Sequence, residues 1–361
     1  MKKVVDVSIP LGPMHPSFKE PCRLKCETAG ERVISAELEL GYMKKGIERI
    51  MKGRPWQEVM FLAERVCGIC SVIHNMVFIE AMEKISHIDV APRAAYLRIV
   101  ANELDRIQSH LLANYSFCYT IEHETIAMYL LNIREEAMDL LEILTGARVT
   151  CAFIVPGGVR YDISDDAIAR IEGGLLRIET ETTRYAKMFH EGPLIALRSK
   201  GVGILSPEEA RRAHAVGPTL RASGIAEDAR MHHPVYQTLE FKPLTRETCD
   251  CHARIMLRFD EIFQSIALIR QCLRMLPPGL IRSGGTCTRG EGTHFGEAPR
   301  GELGYHIVSD SYGRIKEISI QTPSIMNIEV CAHHMVVGVT SIADVMATYI
   351  SADPCISCTE R

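Results

Sequence analysis

Residues 65–74 read RVCGICSVIH, and residues 353–361 read DPCISCTER. Each stretch contains two cysteines separated by two residues, and 285 positions separate Cys70 from Cys355. One such pair is weak evidence by itself, because it also occurs in redox disulfides, zinc knuckles and ordinary buried helices. Two pairs with distinct flanking residues predict that the fold gathers four thiolates into one site for a soft metal.

Thiolate ligands leave three kinds of centre open, namely structural zinc, an iron–sulfur cluster and a centre that contains nickel. Zinc ribbons usually place their two cysteine pairs roughly 15 to 20 residues apart, since a small module folds around the ion. The wide separation in this chain fits a site that is buried in a large fold. The spacing alone does not choose among the three, so the choice depends on the residues around the cysteines.

The composition indicates a globular protein with a sizeable core, because 47% of the 361 residues are hydrophobic. A net charge of −4 without a long basic block argues against nucleic-acid binding. The start MKKVVD meets an aspartate before any long apolar stretch, which argues against a secretory signal. No apolar run reaches the roughly 18 residues of a membrane span. We therefore expect a cytoplasmic protein that is held at a membrane only by partners.

Thirteen cysteines in such a protein are expected to be reduced thiols or metal ligands rather than a disulfide framework. Nine lie outside the two pairs, and we interpret them as small buried hydrophobic side chains. These nine are Cys22, Cys26, Cys118, Cys151, Cys249, Cys251, Cys272, Cys287 and Cys331. The run CDCH at 249–252 suggests another metal site, but it stands where a helix is predicted to begin.

Long helices dominate the predicted fold. Aliphatic residues recur at three- and four-residue steps in 93–113 and 125–144, and Gly146 is placed to end the second of these helices. Another helix is predicted to start near Ser164, and a further one to span 252–276. These patterns indicate helices that pack against one another.

Shorter elements surround the helices. Residues 55–85 read as two helices that are interrupted at the first cysteine pair, with Ser71 as the cap of the second helix. Residues 22–40 alternate around a turn and predict a β-hairpin, and 304–308 with 314–320 predict a second one. The fold class is therefore mainly α with small β-sheets (α+β), a long-helix bundle with a hairpin at each end.

One domain is predicted over 1–361. Its parts are a β-rich segment at 1–50, a helical bundle at 51–283, and a segment at 284–361 that holds the second hairpin and the C-terminal metal ligands.

The two cysteine stretches together resemble the paired signatures of [NiFe]-hydrogenase large subunits. Five further stretches extend the resemblance over essentially the whole chain: GPMHP at 12–16, GYMKKGIE at 41–48, residues 134–148, the glycines at 157–158 and EAPRG at 297–301. The motifs at 12–16 and 41–48 are similar to those of the membrane-bound, energy-converting branch and of the quinone-site (49 kDa-type) subunit of respiratory complex I. Within that branch the chain looks most like the CO-induced hydrogenase large subunit.

The resemblance implies a fold of the hydrogenase large-subunit type and a nickel–iron centre held by four cysteines. By the family pattern, Cys70 and Cys358 bridge nickel to iron, while Cys67 and Cys355 bind nickel alone. The iron of this family carries CO and cyanide ligands.

The resemblance also implies how protons and charge are handled at such a centre. Cys355 is expected to accept the proton first, and Glu20 matches the family's proton-transfer glutamate. Arg300 matches an arginine whose guanidinium lies over the metals. An unpaired buried arginine is costly, so we expect an acidic neighbour, either Asp344 or Asp353.

Other positions carry weaker implications. His74 is expected to donate a hydrogen bond to a bridging sulfur. His15 matches a histidine that lines the quinone cavity of complex I relatives, and it is assigned here to proton relay or to contact with a small subunit. Arg106 and His110 are candidates for such a relay, although a structural role is the favoured interpretation. Uptake hydrogenases carry a histidine at the position of Arg361, where they form a further metal site, so the arginine puts that site in doubt.

The resemblance predicts an enzyme, the catalytic subunit of an energy-converting [NiFe]-hydrogenase that reduces protons reversibly with low-potential electrons. The implied partners are a small subunit with a [4Fe–4S] cluster, ferredoxin-like iron–sulfur subunits, antiporter-like membrane subunits and a CO dehydrogenase as electron source. Together they would hold the chain at the inner face of the cytoplasmic membrane. Two alternatives stay open. One is a quinone-site or interaction subunit of complex I type without a metal, whose relatives have lost the four cysteines, and the other is a structural zinc protein.

Overall fold

Helices account for 52% of the chain in the computed structural model, which describes residues 7–361, and its strands form three small antiparallel sheets. The predicted α+β class is confirmed. The first six residues, on which the argument against a secretory signal depends, lie outside the described part. No helix between residues 7 and 361 combines the length and the apolar character that a membrane span requires.

The helices follow one another along the described residues. They are α1 (Ile47–Met51), α2 (Trp56–Glu64), α3 (Ser71–Ser86), α4 (Pro92–Thr120), α5 (Glu124–Thr145), α6 (Asp165–Glu191), α7 (Pro193–Ser199), α8 (Pro207–Arg212), α9 (Gly217–Arg221), α10 (Cys251–Arg274), α11 (Pro323–Val330), α12 (Ala343–Ser351) and α13 (Ile356–Thr359). A 3₁₀ turn at Ala229–His232, a second at Tyr236–Thr238 and a π-helical turn at Cys331–Val336 complete them.

The strands form three sheets. They are β1 (Val7–Leu11), β2 (Arg23–Ala29), β3 (Arg32–Glu39), β4 (Ile154–Val155), β5 (Gly158–Val159), β6 (Gly290–Ala298), β7 (Gly301–Ser309) and β8 (Ile315–Gln321). The strand orders are β1-β2-β3, β4-β5 and β6-β7-β8. Both predicted hairpins are present, as β2-β3 and β7-β8, and each gains one strand that the sequence analysis did not predict.

Three long helices, α4, α5 and α10, pack side by side at the centre of the molecule. Two predicted ends agree with local structure: Gly146 follows α5 in the left-handed conformation, and the Ser164 side chain accepts a hydrogen bond from the first turn of α6. Asp250, which was not predicted as a cap, accepts a hydrogen bond from the first turn of α10. Helix α4 is buried on both sides. Arg106 and His110 therefore lie in the interior and not on an exposed face from which they could relay protons.

The first cysteine pair lies in the break between α2 and α3. Ser71 is the first residue of α3, and Cys70 takes the cap position without a capping side-chain hydrogen bond, so the predicted Ser71 cap is wrong. Asp105 of α4 partly replaces the missing cap, because its Oδ2 accepts a hydrogen bond from the Val72 N–H at 3.2 Å.

Strand β6 was missed because its sequence, GEGTHFGEA, is rich in glycine. The glycines let the strand approach α3 closely. A Cβ at Gly296 would lie 2.7 Å from Val77 Cγ2, and one at Gly290 would lie 2.5 Å from Ile85 Cγ2. The sheet β6-β7-β8 therefore covers the helix that follows the first cysteine pair. The predicted boundaries between the three parts of the domain, at 50/51 and 283/284, stay a prediction.

Candidate metal centre

Two short connections bring the four paired cysteines together. Cys67 and Cys70 lie between α2 and α3, while Cys355 caps α13 and Cys358 lies within it. The Cys67 sulfur is 3.0 Å from that of Cys70 and 3.7 Å from that of Cys355. All four side chains are at most 2% exposed, and all are free thiols. The gathering that the sequence analysis predicted from the two flanked cysteine pairs is therefore present in the structure.

The sulfur positions fit a soft-metal centre. Two overlapping groups of donor atoms each lie within 4.8 Å of one another: Cys67 with Cys355 and Cys358, and Cys70 with His74 and Cys358. Sulfur–metal bonds of about 2.3 Å require neighbouring ligand sulfurs to lie within roughly 4.6 Å. The donor set and its burial therefore fit the nickel–iron centre that the family resemblance implies.

The thiols alone cannot share this space as four thiolates. Hydrogen bonding from Cys355, and then from Cys358 and Cys70, holds the pKa of Cys67 well below its ordinary value. Hydrogen bonding to Cys355, then to Cys67 and Cys70, together with burial raises the pKa of Cys358 well above it. Protons keep the cluster from accumulating negative charge, and metal cations would take over that task.

Arg300 lies beside the sulfurs and is fixed by the residues around it. Its Nε donates to the Asp353 carbonyl at 2.9 Å, one Nη lies 3.0 Å from Asp353 Oδ2, and the other donates to Ser109 Oγ at 3.2 Å. Burial lowers the pKa of Arg300, but Asp353 and then the cysteine sulfurs outweigh it and raise the pKa well above the ordinary value. The guanidinium is therefore a fixed positive charge at the cluster.

Asp353, and not Asp344, is the acidic neighbour that the sequence analysis left undecided. Asp344 lies at the start of α12 and pairs with Arg198, with 2.8 Å between Nε and Oδ1. Asp344 is therefore not the acidic neighbour of Arg300, and its predicted role in cofactor binding stays a prediction. Lys19 also pairs with Asp353, at 2.5 Å, so Asp353 holds two cations two residues before Cys355.

His74 contacts the cluster from the first turn of α3. Its Nε2 lies 3.9 Å from the Cys358 sulfur, and its Nδ1 lies 2.8 Å from the Tyr305 hydroxyl. Burial lowers the pKa of His74 to about 4, so the ring is neutral at pH 7. If the Tyr305 hydroxyl donates to Nδ1, the proton sits on Nε2 and faces the sulfur, which is the arrangement expected for His74.

Glu20 lies against the loop that joins Cys355 to Cys358. Its Oε2 accepts from the Ser357 N–H at 2.8 Å, and its Oε1 accepts from the Ser357 hydroxyl. The carboxylate is half-buried, so one side reaches the metal-ligand loop and the other is partly open. This position suits a carrier of protons between the cluster and the exterior.

The other sequence candidates lie elsewhere. The His15 Nδ1 accepts from the Ser17 N–H at 3.2 Å, and its ring packs on Phe18. Arg106 pairs with Glu103, and the His110 Nε2 lies 2.7 Å from Glu261. The contacts of Arg106 and His110 belong to a buried ionic network next to α10, which agrees with their favoured structural role.

The terminal arginine forms an ion pair in place of the doubtful metal site. Arg361 Nε lies 3.1 Å from Glu48 Oε1, and the same oxygen accepts from the Ile320 N–H. Within residues 7–361, neither group of candidate metal ligands includes Glu48. The residues here fit a guanidinium–carboxylate contact and do not fit a second metal ion.

Sequence reasoning missed several residues that shape the centre. Lys45 Nζ donates to the Val66 carbonyl at 2.6 Å and to the Arg65 carbonyl at 3.1 Å, just before the first cysteine pair. Its backbone N–H donates to the Glu360 carbonyl, just after the second. Burial raises the pKa of Asp105, next to the first pair, to about 7. Only the position of Lys45 inside the motif GYMKKGIE could have signalled its role.

Comparison with known proteins gives matches over nearly the whole chain. The family model for the respiratory-chain NADH dehydrogenase 49 kDa subunit matches residues 121–288 and 280–361, and that for nickel-dependent hydrogenases matches residues 45–120. One subunit of the F(420)H(2) dehydrogenase of Methanosarcina mazei is 33% identical over 99% of this chain and 98% of its own length. The carbon monoxide-induced hydrogenase of Rhodospirillum rubrum is 34% identical over 98% and 99%.

A solved structure agrees with these matches. One chain of the membrane-bound sulfane sulfur reductase, an archaeal respiratory membrane complex, superposes with a TM-score of 0.92 at 27% identity, and each chain is covered completely.

Proposed function

Because the chain belongs to the family of the complex I 49 kDa subunit and the [NiFe]-hydrogenase large subunit, we propose that it is the catalytic subunit of a membrane-associated, energy-converting [NiFe]-hydrogenase. It would reduce protons to H2, reversibly, with low-potential electrons. The observation that carries the proposal is the cluster of four buried cysteine sulfurs between α2, α3 and α13.

Overall similarity does not choose between the functions within this family. Relatives named as a dehydrogenase subunit and as a hydrogenase match this chain at 33% and 34% identity. The second candidate, a complex I-like subunit that works without a metal, is favoured by the long match of residues 121–361 to the 49 kDa family. Such a subunit has no use for four convergent thiols beside a fixed arginine, and this supports the hydrogenase.

Cys67, Cys70, Cys355 and Cys358 would hold the nickel–iron centre. When bound, it supplies the Lewis acid needed to form and to split H2. With its proton on Nε2, the neutral His74 would donate a hydrogen bond to the Cys358 sulfur, which would lower the basicity of that thiolate and fix its orientation.

Proton transfer would pass through Cys355 and Glu20. A proton held on the Cys355 sulfur needs an acceptor nearby, and the Glu20 carboxylate already contacts Ser357, two residues further along. Lys19, which precedes Glu20, forms an ion pair with Asp353. Residues 19 and 20 therefore contact the metal-ligand segment on both sides of Cys355. Glu20 can then pass the proton to its partly open side.

Arg300 would act on the substrate side of the centre. Three contacts, two to Asp353 and one to Ser109, fix its guanidinium before any ligand arrives. A fixed cation can polarise a small substrate without reorganisation, and its N–H groups can bind polar ligands of a metal.

Electrons and ion coupling would come from partners. A small subunit with a [4Fe–4S] cluster, further iron–sulfur subunits and antiporter-like membrane subunits are proposed on the family resemblance, as is a CO dehydrogenase as donor. Relatives in respiratory membrane complexes support association of this chain with a membrane through those subunits.

The test is metal content together with turnover. We expect the purified complex to contain nickel and iron in stoichiometric amounts and to evolve H2 from reduced methyl viologen. Cys358→Ser should remove nickel and activity, whereas Cys118→Ser, at an equally buried thiol of α4, should keep both. A complex with no nickel and no H2 evolution would support the metal-free alternative.

A further inference from the structure

A two-lobed cavity lies between α3, α4, β6 and the segment that follows the 3₁₀ turn at Ala229–His232. The inner lobe has a volume of about 210 Å³ and the outer lobe about 270 Å³. Glu80, His233, Pro234 and His294 line both lobes and therefore form the wall that the lobes share. Neither lobe is lined by any of the four metal-ligand cysteines.

The inner lobe is large enough for one ring. A dry cavity of about 150 Å³ in another protein binds benzene, so 210 Å³ admits a substituted single ring. Its walls include Ile73 and Met76 of α3 and Phe295 of β6. These apolar side chains favour an aromatic or aliphatic occupant over bulk water.

The charged groups of the cavity already have partners. Glu80 lies between the two imidazoles, 3.3 Å from His233 Nε2 and 2.9 Å from His294 Nε2. Arg230 pairs with Asp228, and Glu297 pairs with Arg221. A charged occupant would find no free counterion among these side chains, so the site favours a neutral one.

One polar side chain that lines the inner lobe has a buried oxygen without a partner in the described part of the chain. Asn102 is 2% exposed and lines the lobe, and its Nδ2 donates to the Tyr236 hydroxyl at 3.2 Å. That hydroxyl donates to Glu103, which fixes the amide with its oxygen free. Within residues 7–361, the Asn102 Oδ1 has no hydrogen-bond partner. A buried acceptor without a donor is unfavourable, and a ligand that brings a donor relieves this.

We propose that the inner lobe is a binding site for a neutral, single-ring molecule that carries a hydroxyl group, with the hydroxyl donating to Asn102 Oδ1. The apolar walls hold the ring, and the ion-paired Glu80, His233 and His294 close the side that faces the outer lobe. This site goes beyond the proposed hydrogenase activity and does not depend on it.

The test compares two probes of nearly equal shape on the full-length protein in its complex. Binding of 4-fluorophenol, which has the donor, and of 4-fluoroanisole, which lacks it, is followed by fluorine NMR titration. We expect the phenol to bind at least about tenfold more tightly, because the anisole leaves Asn102 unsatisfied. Asn102→Leu should remove this preference.

Asn114→Leu is the matched control. Asn114 lies on the same helix, is equally buried and also has an unpartnered Oδ1, but it lines neither lobe. It should keep the tenfold preference. Met76→Trp, which enlarges a side chain in the wall of the lobe, should abolish binding of both probes.

Three results would overturn the proposal. They are equal binding of the two probes by the unsubstituted protein, equal loss of preference in Asn102→Leu and Asn114→Leu, and unchanged binding in Met76→Trp. A fourth result, absence of binding by both probes, would also overturn it and would assign the lobe to water. The comparison of the probes on the unsubstituted protein decides the question even if a variant fails to fold.

Discussion

Single side chains at the centre do two tasks at once. Glu20 shapes the loop between Cys355 and Cys358 by accepting both hydrogen bonds that Ser357 offers, and it is also the proposed proton carrier. Arg300 fixes Asp353 and places its charge at the sulfurs. A useful substitution at this scale must therefore separate shape from chemistry.

Glu20→Gln separates them. The amide keeps one acceptor for Ser357 and has nearly the same shape, but it cannot carry a proton. We expect H2 evolution and proton–deuterium exchange to fall by about 10²-fold or more, with nickel content unchanged. Glu37→Gln, at an exposed position of β3, should have no effect. Full activity in Glu20→Gln would reject Glu20 as the proton carrier.

We expect His110 to make the stability of the protein depend on pH. Burial lowers its pKa to about 4, even though Glu261 opposes the shift, while an unfolded histidine titrates near about 6.5. Below pH 6.5 the unfolded state binds the proton first, so the contribution of His110 is complete above pH 6.5 and is lost as the pH falls to 4. The loss amounts to about 3 kcal/mol.

We therefore expect His110→Gln to reduce the fall in thermal midpoint between pH 7 and pH 4. His306→Gln, at a surface histidine of β7, serves as the control and should leave the fall unchanged. Equal pH dependence of the parent and His110→Gln would contradict the neutral, buried state of His110.

At the scale of elements, the segment at 41–48 ties together the two ends of the chain that carry the ligands. Lys45 holds the carbonyls before Cys67, and its N–H holds the Glu360 carbonyl after Cys358. The Glu360 carboxylate returns to the Gly41 and Met43 N–H groups. This segment thereby sets the distance between the two cysteine pairs.

Lys45→Met keeps the aliphatic stem and removes the ammonium group. Loss of hydrogen bonds from a charged donor costs about 1.5–3 kcal/mol. We expect nickel retention against a chelator to fall by about tenfold, measured by metal analysis after dialysis. The adjacent Lys44→Met, at an exposed side chain, should retain nickel as the parent does. Equal retention in both variants would show that the 41–48 segment does not position the cysteines.

At the scale of the whole molecule, a buried ionic network joins elements that are distant in sequence. Arg221 of α9 contacts three carboxylates at 2.7 to 3.2 Å: Glu297 of β6, Glu261 of α10 and Asp228 before the first 3₁₀ turn. These residues are almost completely buried, so the charged state of each one depends on the charges of the others. The network holds the β6-β7-β8 sheet against the central helices.

Arg221→Met would leave those carboxylates without their shared cation. Removing one partner of a buried ion pair costs about 3–5 kcal/mol, and here three acidic groups lose it. We expect a clearly lower thermal midpoint by calorimetry, whereas Arg212→Met, at the exposed end of α8, should match the parent. An unchanged midpoint in Arg221→Met would show that the carboxylates take up protons without cost.

Local patterns predicted most of the elements but not all of their surroundings. The three long central helices, the end of α5 at Gly146, the cap of α6 at Ser164, and both hairpins follow from periodicity and turn residues. Strand β6 was missed because its glycines serve contact with α3, which has no signal in the strand itself. The cap of α3 was misplaced because a residue of α4 supplies the hydrogen bond.

The sequence by itself determined which four thiols come together, since two cysteine pairs with distinct flanks are a local property of the chain. It also determined the fold class, because helix and strand periods are local. Only the tertiary structure decided which charges meet at the centre: Asp353 and not Asp344 beside Arg300, Lys45 between the two ligand segments, and Glu48 with Arg361. These choices depend on contacts between residues that are far apart along the chain, and burial sets their strength.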